Sequence, residues 1–445
     1  MTTFPSDRPR GSNQVKTSTK RIGIGLIASA LLVTGCSSNA SQSAESSQSA
    51  PSGTVTVWDY YGQATPLKKA IAEFKIAHPE ITVNYQAFDY EALHSKFPVA
   101  VASGQAPDLA TIDMTWVPSF AANGLLSDIN SISGGSLNGS PIAGQYTAGA
   151  NAAMTFDGKL VTALYDFDAY SLYYRKDILD AKGIAVPTTW DELISASNKM
   201  AERPSAGAKP TKYAFAVQPD TFHYATYLIQ NGGSILDSTN SKAAFNEAAG
   251  VGALDYWKSL LSKGGGLYWP DPSTLTAGVK SEQIGMFMNG PYMMGVLKAG
   301  VPEQSGKWAV AAAPVGKQQG SYLGGTGLVI PKGAKNPSAA WVLAQWLLQP
   351  KEQQYVFTEA GAAPATSAAL ELPVLSAPDP YFGGQAAFSI FKDAMATAVH
   401  YPYVAAWGDI DSAITDAVTA VLIGKDKSQS ALDAAAKLAD TALGH

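Results

Sequence analysis

Enzyme chemistry needs nucleophiles, bases or metal ligands at defined spacing, and this sequence offers few. Its five histidines, His78, His94, His223, His400 and His445, are scattered, with no HExxH pair to share a helical face. There is no GxSxG elbow, no GxxxxGK phosphate loop and no cysteine beyond Cys36 near the amino terminus. Nucleophilic and zinc-dependent catalysis are therefore not expected: no enzyme, no cofactor and no bound metal. One carboxylate pair is notable. Asp166 and Asp168 share a face if Tyr165 to Tyr170 is extended, because strand side chains alternate with period two. Such a pair suits acid–base work at a glycosidic bond as well as it suits hydrogen bonding to hydroxyls, and the choice turns on a separation the sequence does not give. Aromatic residues at strand ends and loops are far more abundant: Tyr60, Tyr61, Trp116, Tyr165, Tyr170, Trp269, Tyr292 and Trp407. Rings stack on the apolar C–H faces of sugars while carboxylates and amides hold the hydroxyls, so an acidic, aromatic, polar cleft suits a neutral carbohydrate.

The elements that must position these residues alternate between strand and helix. Thr54 to Trp58 is a β-branched run. Leu67, Ala70, Ile71 and Phe74 then fall at helical spacing behind Pro66, and Ile81 to Tyr85 is the next strand. Strand, helix and strand at this spacing make a parallel βαβ unit. A helix over Leu93 to Ala102 leads to a strand ending at Asp113 and Trp116. Thr189 and Glu192 have the spacing of a capping box. Ala243 to Leu261 reads as helix and Gln283 to Met288 as strand, running into Asn289 and Tyr292. Strands are expected at Trp308 to Ala313 and Gly327 to Ile330, with helices from Asn336 to Leu348 and from Ile410 to Ile423. Trp58, Trp190, Trp257, Trp341 and Trp346 sit within these patterns and read as core.

The amino terminus decides the compartment. Lys20 and Arg21 precede an apolar run from Ile22 to Val33 that fits a signal peptide and is too short for an ordinary span. It ends in Val33, Thr34, Gly35 and Cys36, which resembles the lipobox where the thiol is lipidated and becomes the mature terminus. The nineteen residues before Lys20 exceed a usual n-region, so natural translation is expected to begin nearer Lys20. Residues 36–53 then read as a flexible tether, since eight of the seventeen residues after Cys36 are serine. Hydrophobic residues make up 46% of the 445 and charged ones 15%, so the remainder can bury a sizeable core. Without residues 1–35 the chain carries 26 basic and 35 acidic residues, a net −9. An acidic surface without a basic stripe excludes nucleic acid as a natural partner.

Taken in order, VTVWDYYGQ (55–63), VASGQAPDLATIDMTWV (101–117), YDFDAYSLYYRKDILDAKGIAVPTTWDEL (165–193), FMNGPYMMG (287–295), YLGGTGLVIPKGAKNP (322–337) and GAAPATSAAL (361–370) resemble family 1 of the extracellular solute-binding proteins of carbohydrate ABC importers, the group that includes maltodextrin-binding proteins. The resemblance implies a two-lobed α/β fold of the type II periplasmic-binding-protein kind, hinged around an interlobe ligand cleft. Lobe boundaries carried over from it are 54–163 with 324–370, and 164–323 with 371–445. It implies ligand contacts from Tyr60, Tyr61 and Gln63, from Asp113 and Trp116, from Asp166 and Asp168 on the hinge strand, and from Asn289 and Tyr292. Backbone groups of Gly324, Gly325 and Thr326 and a stacking Trp407 complete that set, and Trp269 and His223 join it as rim and cleft candidates. Structural roles compete at several positions. Tyr60 and Tyr61 are neighbours that would point opposite ways on a strand, Asp168 could cap a turn, and Gly324 and Gly325 could serve positive φ at a hinge.

The expected partners are a carbohydrate, the transmembrane permease subunits of an importer, and a membrane surface reached through the lipid on Cys36, with the protein itself a monomer. Two other readings stay open on residue chemistry: a lipid-anchored glycoside hydrolase or lyase using Asp166 and Asp168, and a ferric-ion binder using Tyr60 and Tyr61 or Tyr173 and Tyr174.

Overall fold

The computed structural model describes residues 51–61, 65–400, 402 and 404–445; Cys36, the signal segment and Gln63 lie outside the described residues. Strands β1 (Gly53–Asp59), β2 (Ile81–Ala87) and β3 (Leu109–Asp113) are followed by two short hairpins, β4 (Ser136–Leu137) with β5 (Ser140–Pro141) and β6 (Thr155–Phe156) with β7 (Lys159–Leu160). Then come β8 (Ala163–Asp168), β9 (Ser171–Arg175), β10 (Ala214–Val217), β11 (Gly266–Tyr268), β12 (Ile284–Asn289), β13 (Trp308–Ala311), β14 (Ser321–Val329), β15 (Ala363–Pro364) and β16 (Ala398–His400). Two main sheets result. The first has the order β15-β8-β14-β3-β1-β2 with β16 added to β14, and the second the order β11-β10-β12-β9-β13.

The first unit forms as its pattern demands. Helix α1 (Leu67–Ala77) buries Leu67, Ala70, Ile71 and Phe74, the expected stripe, and β1 and β2 pair in parallel in register from Gly53↔Ile81 to Asp59↔Ala87. Helix α2 (Tyr90–Ala102) connects β2 to β3, and α3 (Val117–Ala122) starts immediately after Trp116. The chain steps from the first sheet to the second between Asp168 and Ser171, across Ala169 and Tyr170, and returns from β13 to β14. Two such adjacent crossings are what a hinge between two α/β lobes requires.

The second sheet is buried on both faces, and the alternation of its strands, broken once where the β10–β12 register shifts between Ile284 and Met286, sorts their side chains into two cores. Tyr173, Ala214, Ala216, Ile284, Phe287, Trp308 and Val310 join the core that also covers the first sheet. Leu172, Tyr174, Phe215, Val217, Met286, Met288 and Ala309 enter the other, which the helices Thr221–Gln230, Ala248–Ser262, Trp407–Leu422 and Ser428–Ala442 supply.

Two expected starts shift by five residues or more. The strand expected from Gly327 begins at Ser321, and all nine of its residues are buried. Its three glycines hide it from β-propensity, yet they are what lets neighbours close in: a Cβ on Gly327 would stand 2.0 Å from Thr162 Oγ1. The helix expected from Ala243 starts at Ala248, because Ala243 is bridged to Leu236. The capping box forms as expected, with Glu192 N donating to Thr189 Oγ1 and the Glu192 carboxylate accepting from Thr189 N. Thr189→Ala should therefore lower stability by about 1 kcal/mol in urea unfolding, with saccharide titration unchanged.

Candidate functional site

At the end of β1 the chain leaves the sheet around Asp59, a fully buried carboxylate. Its Oδ1 accepts from Thr111 Oγ1 at 2.9 Å and from Tyr61 N at 3.1 Å, and its Oδ2 accepts from the Tyr85 hydroxyl at 2.6 Å. Because β1 has already ended, strand alternation no longer governs the next two residues. Tyr60 and Tyr61 therefore do not point apart: their rings stack 5.3 Å between centroids at 6°. The Tyr61 hydroxyl donates to Thr326 Oγ1 at 3.0 Å, and the Tyr60 hydroxyl shares a 2.6 Å hydrogen bond with the same oxygen.

Beside them Trp116, at the start of α3, packs 5.7 Å from Tyr60, 4.5 Å from Tyr90 and 4.6 Å from His94 between ring centroids. Asp113, the last residue of β3, accepts from Thr115 N and Oγ1 at 2.8 and 2.7 Å and is hydrogen-bonded by Tyr90. The strand ends of the first sheet thus present four aromatic rings and a carboxylate together.

The crossing strands add to this group. Asp166, 4% exposed, accepts from Thr326 N at 2.9 Å through Oδ1, so β14 supplies both a hydroxyl and an amide here. Gly324 pairs with Asp168 and Gly325 with Phe167. Of the two glycines only Gly325 has positive φ, at +137°, where an added Cβ would stand 2.2 Å from the Asp166 carbonyl oxygen. Gly324 has an ordinary backbone and is crowded instead by the Tyr322 ring. Asp168 reaches the second sheet: a Cβ on Gly290, just past β12, would lie 2.5 Å from its Oδ1. Asn289 Oδ1 accepts from Gly290 N at 2.8 Å, and the Asn289 side chain hydrogen-bonds Tyr292, which senses the charges of Asp168 and Asp220.

His223 and Trp407 are placed differently. His223 is 3% exposed, with Nδ1 2.8 Å from Asp220 Oδ1 and Nε2 3.0 Å from the Met288 carbonyl oxygen. Its ring lies 4.8 Å from Tyr170, behind the aromatic group. Trp407, 2% exposed, packs in the second core with Ile410 and Ile414. Trp269 is half-buried at the end of β11 with its six-membered ring over Gly278, and no described ring contact joins it to the others.

Several members gave little sign of themselves in the sequence. Asp59 and Tyr90 border Tyr60, and Asp411 senses both Asp113 and Asp220. Asp411 follows Trp407 by one helical turn, so the i, i+4 spacing was the available signal.

Carboxylates crowded in this way resist ionisation. Burial, more than any neighbour, raises Asp113, Asp166 and Asp411 above the usual carboxylate range, with Asp168 adding to the effect at Asp166. Asp168 is pushed up to about 7 by burial and then by the charge of Asp113. A group whose pKa is raised by burial holds its proton better buried than in water, so the buried arrangement is favoured at low pH and weakens as pH rises from the ordinary carboxylate range through about 7. Without ligand, small-angle scattering should show a larger radius of gyration at pH 8 than at pH 5. Asp168→Asn should flatten that difference; a radius that stays constant in the unsubstituted chain would show the charges to be compensated internally.

The bacterial extracellular solute-binding protein model matches residues 61–354. A lactose-binding protein of Rhizobium radiobacter is 24% identical over 402 residues, covering 85% of this chain and 90% of that protein. A maltooligosaccharide ABC transporter solute-binding lipoprotein of Streptococcus pneumoniae R6 is 23% identical, covering 80% and 82%. Among solved structures, the GacH receptor of Streptomyces glaucescens, determined unliganded and with acarbose, superposes with a TM-score of 0.76 at 25% identity over 88% of this chain and 99% of that one. An ABC transporter solute-binding protein of Thermotoga lettingae bound to α-D-tagatose gives 0.75 at 25% identity, over 88% and 100%. With about two thirds of its length matched by the family model, the chain belongs to the bacterial extracellular solute-binding proteins.

Proposed function

We propose that this protein captures a sugar or oligosaccharide between its two lobes and delivers it to the permease of an ABC importer. The observation that carries this reading is the convergence of aromatic rings and carboxylates from both sheets and the strands joining them. Tyr60, Tyr61, Tyr90, Trp116 and Asp113 come from the first sheet's strand ends, and Asn289 and Tyr292 from the second's. Asp166 and Asp168 stand where the chain crosses. Stacked rings supply apolar area worth on the order of 25 cal/mol per Å², and the polar groups select among hydroxyl patterns. A ligand touching both halves favours the closed arrangement by its differential affinity for it, and the permease reads that shape. The lactose-binding and maltooligosaccharide-binding relatives support a saccharide as cargo.

The reading includes a lipid anchor at Cys36, a mature chain held at the outer membrane face by residues 36–53, and action as a monomer without catalysis. Capture needs no bond making, and both tyrosine hydroxyls of the proposed ferric pair are engaged by Thr326. The other pair, Tyr173 and Tyr174, enters opposite cores and cannot converge on one ion.

The test is a thermal-shift screen of the purified chain against mono- and oligosaccharides, followed by titration calorimetry of those that raise the melting temperature. A saccharide at a hundred times its Kd should add about 2.7 kcal/mol of stability. If none of them moves the transition, the carbohydrate reading is wrong.

A further inference from the structure

Four residues of the proposed sugar site converge on one buried side chain. Residues 324–327 read Gly-Gly-Thr-Gly, so Thr326 is the only side chain that this part of β14 contributes. In the sheet it lies opposite Asp113 of β3 on one side and opposite Asp166 of β8 on the other. Directly opposed residues project to the same face, so the two carboxylates flank the threonine. Its hydroxyl takes the phenols of the stacked pair: Tyr61 donates to Oγ1 at 3.0 Å, and Tyr60 shares a 2.6 Å hydrogen bond with the same atom.

A bulge adds a second hold on Tyr61. Thr326 pairs with Asp166 but Gly327 pairs with Leu164, which leaves Tyr165 without a partner on β14. The Tyr165 ring meets that of Tyr61 at 6.4 Å and 82°, so β14 holds the Tyr61 hydroxyl while β8 supports its ring.

Thr326 is badly placed to touch a ligand itself, although its backbone was expected to. It is 2% exposed, and its amide is given to Asp166 Oδ1 at 2.9 Å. A hydroxyl has one proton and two acceptor sites, and the phenols engage two of the three. Packing does not call for the oxygen either, because valine has the same branched shape. What the oxygen adds is the pair of phenol bonds, and branching at Cβ restricts χ1 so that it points one way.

We infer that Thr326 is a positioning residue: its hydroxyl fastens Tyr60 and Tyr61 to the crossing strand and fixes their rings beside Asp113 and Asp166 before a ligand arrives. This rests on the saccharide reading of the same site, and it adds that the Tyr61 phenol is spent on the protein, so Tyr61 serves the sugar through its ring. Fixing the rings in advance removes an ordering cost from binding.

Two measurements on the purified chain test this, and the first needs no ligand. In thermal melting, Thr326→Val and Tyr61→Phe should each lower the melting temperature, and the double substitution should melt at or above Thr326→Val alone, because the phenol it removes has already lost its acceptor. A Tyr61→Phe shift that persists in full in the valine chain, or that is absent from the threonine chain, would overturn the tether. The second is titration calorimetry with lactose, maltotriose and N,N′-diacetylchitobiose. Affinity for whichever of them binds should fall tenfold or more in Thr326→Val. Thr326→Ser, which keeps the oxygen, should stay within about threefold, and adding Tyr61→Phe to the valine chain should cost nothing more. Unchanged affinity in Thr326→Val would make the threonine structural only, and a further loss on adding Tyr61→Phe would put that phenol on the ligand; either result overturns the positioning role and leaves the saccharide reading standing. If the valine chain does not fold, Thr326→Ala takes its place in both measurements. A chain that shows the melting coupling yet binds none of these probes, nor any member of a wider saccharide panel, keeps the tether and loses the saccharide reading.

Discussion

Gly325→Ala should cost on the order of 3–5 kcal/mol and lower the melting temperature sharply. Two effects act at this one position. The backbone sits at φ +137°, where a side chain is strained whatever the space around it. Space is also lacking, because the new Cβ would lie 2.2 Å from the Asp166 carbonyl oxygen and 2.7 Å from Phe167 Cα, both main-chain atoms of the paired strand. Relief requires β8 and β14 to separate where the chain crosses between the sheets. Separation would move Asp166 and Thr326, and with Thr326 both tyrosine hydroxyls that depend on it. Sugar binding and stability should therefore fall together. Gly324→Ala is the control: its backbone is ordinary, and its new methyl would meet the edge of the Tyr322 side chain rather than main chain. A Gly325→Ala chain melting within about 2 °C of the unsubstituted one would show that this hinge strand adjusts without cost.

The difference between these neighbouring glycines marks how far residue patterns reach. Helix α1, the parallel β1–β2 pair and the capping box at Thr189 were legible because each depends on periodicity or spacing within a dozen residues. Tyr60 and Tyr61 were legible as aromatic loop residues, but not as a stacked pair. Their arrangement is set by Asp59, Thr111 and Thr326, two of which come from distant strands. Trp407 and Trp116 look alike in sequence, each a tryptophan opening a helix. Tertiary packing separates them, sealing one inside the second core and setting the other among Tyr60, Tyr90 and His94. Asp411 and Asp220 escaped notice for the same reason: a carboxylate on a helix or at its N-cap reads as solvated surface until another strand's carboxylates are brought beside it.

Trp116→Ala should weaken saccharide binding tenfold or more and also lower stability. The indole is 7% exposed and touches Phe120 as well as the three site rings, so it is part of the core and part of the platform. Truncating a tryptophan buried to that degree costs about 3–5 kcal/mol through lost transfer energy and the cavity left behind. The binding loss has a separate origin. Tyr90 leans on Trp116 at 4.5 Å and hydrogen-bonds Asp113, so the substitution frees both the ring and the carboxylate that a sugar would meet. Trp116→Phe separates the two effects, since it fills most of the cavity but shortens the aromatic face. It should recover most of the stability in urea unfolding while titration calorimetry, run well below the melting transition, still reports weakened binding. If Trp116→Phe restores stability and Trp116→Ala binds every saccharide as tightly as the unsubstituted chain, the indole is core alone, and the ring platform must be sought at Tyr60 and Tyr61 without it.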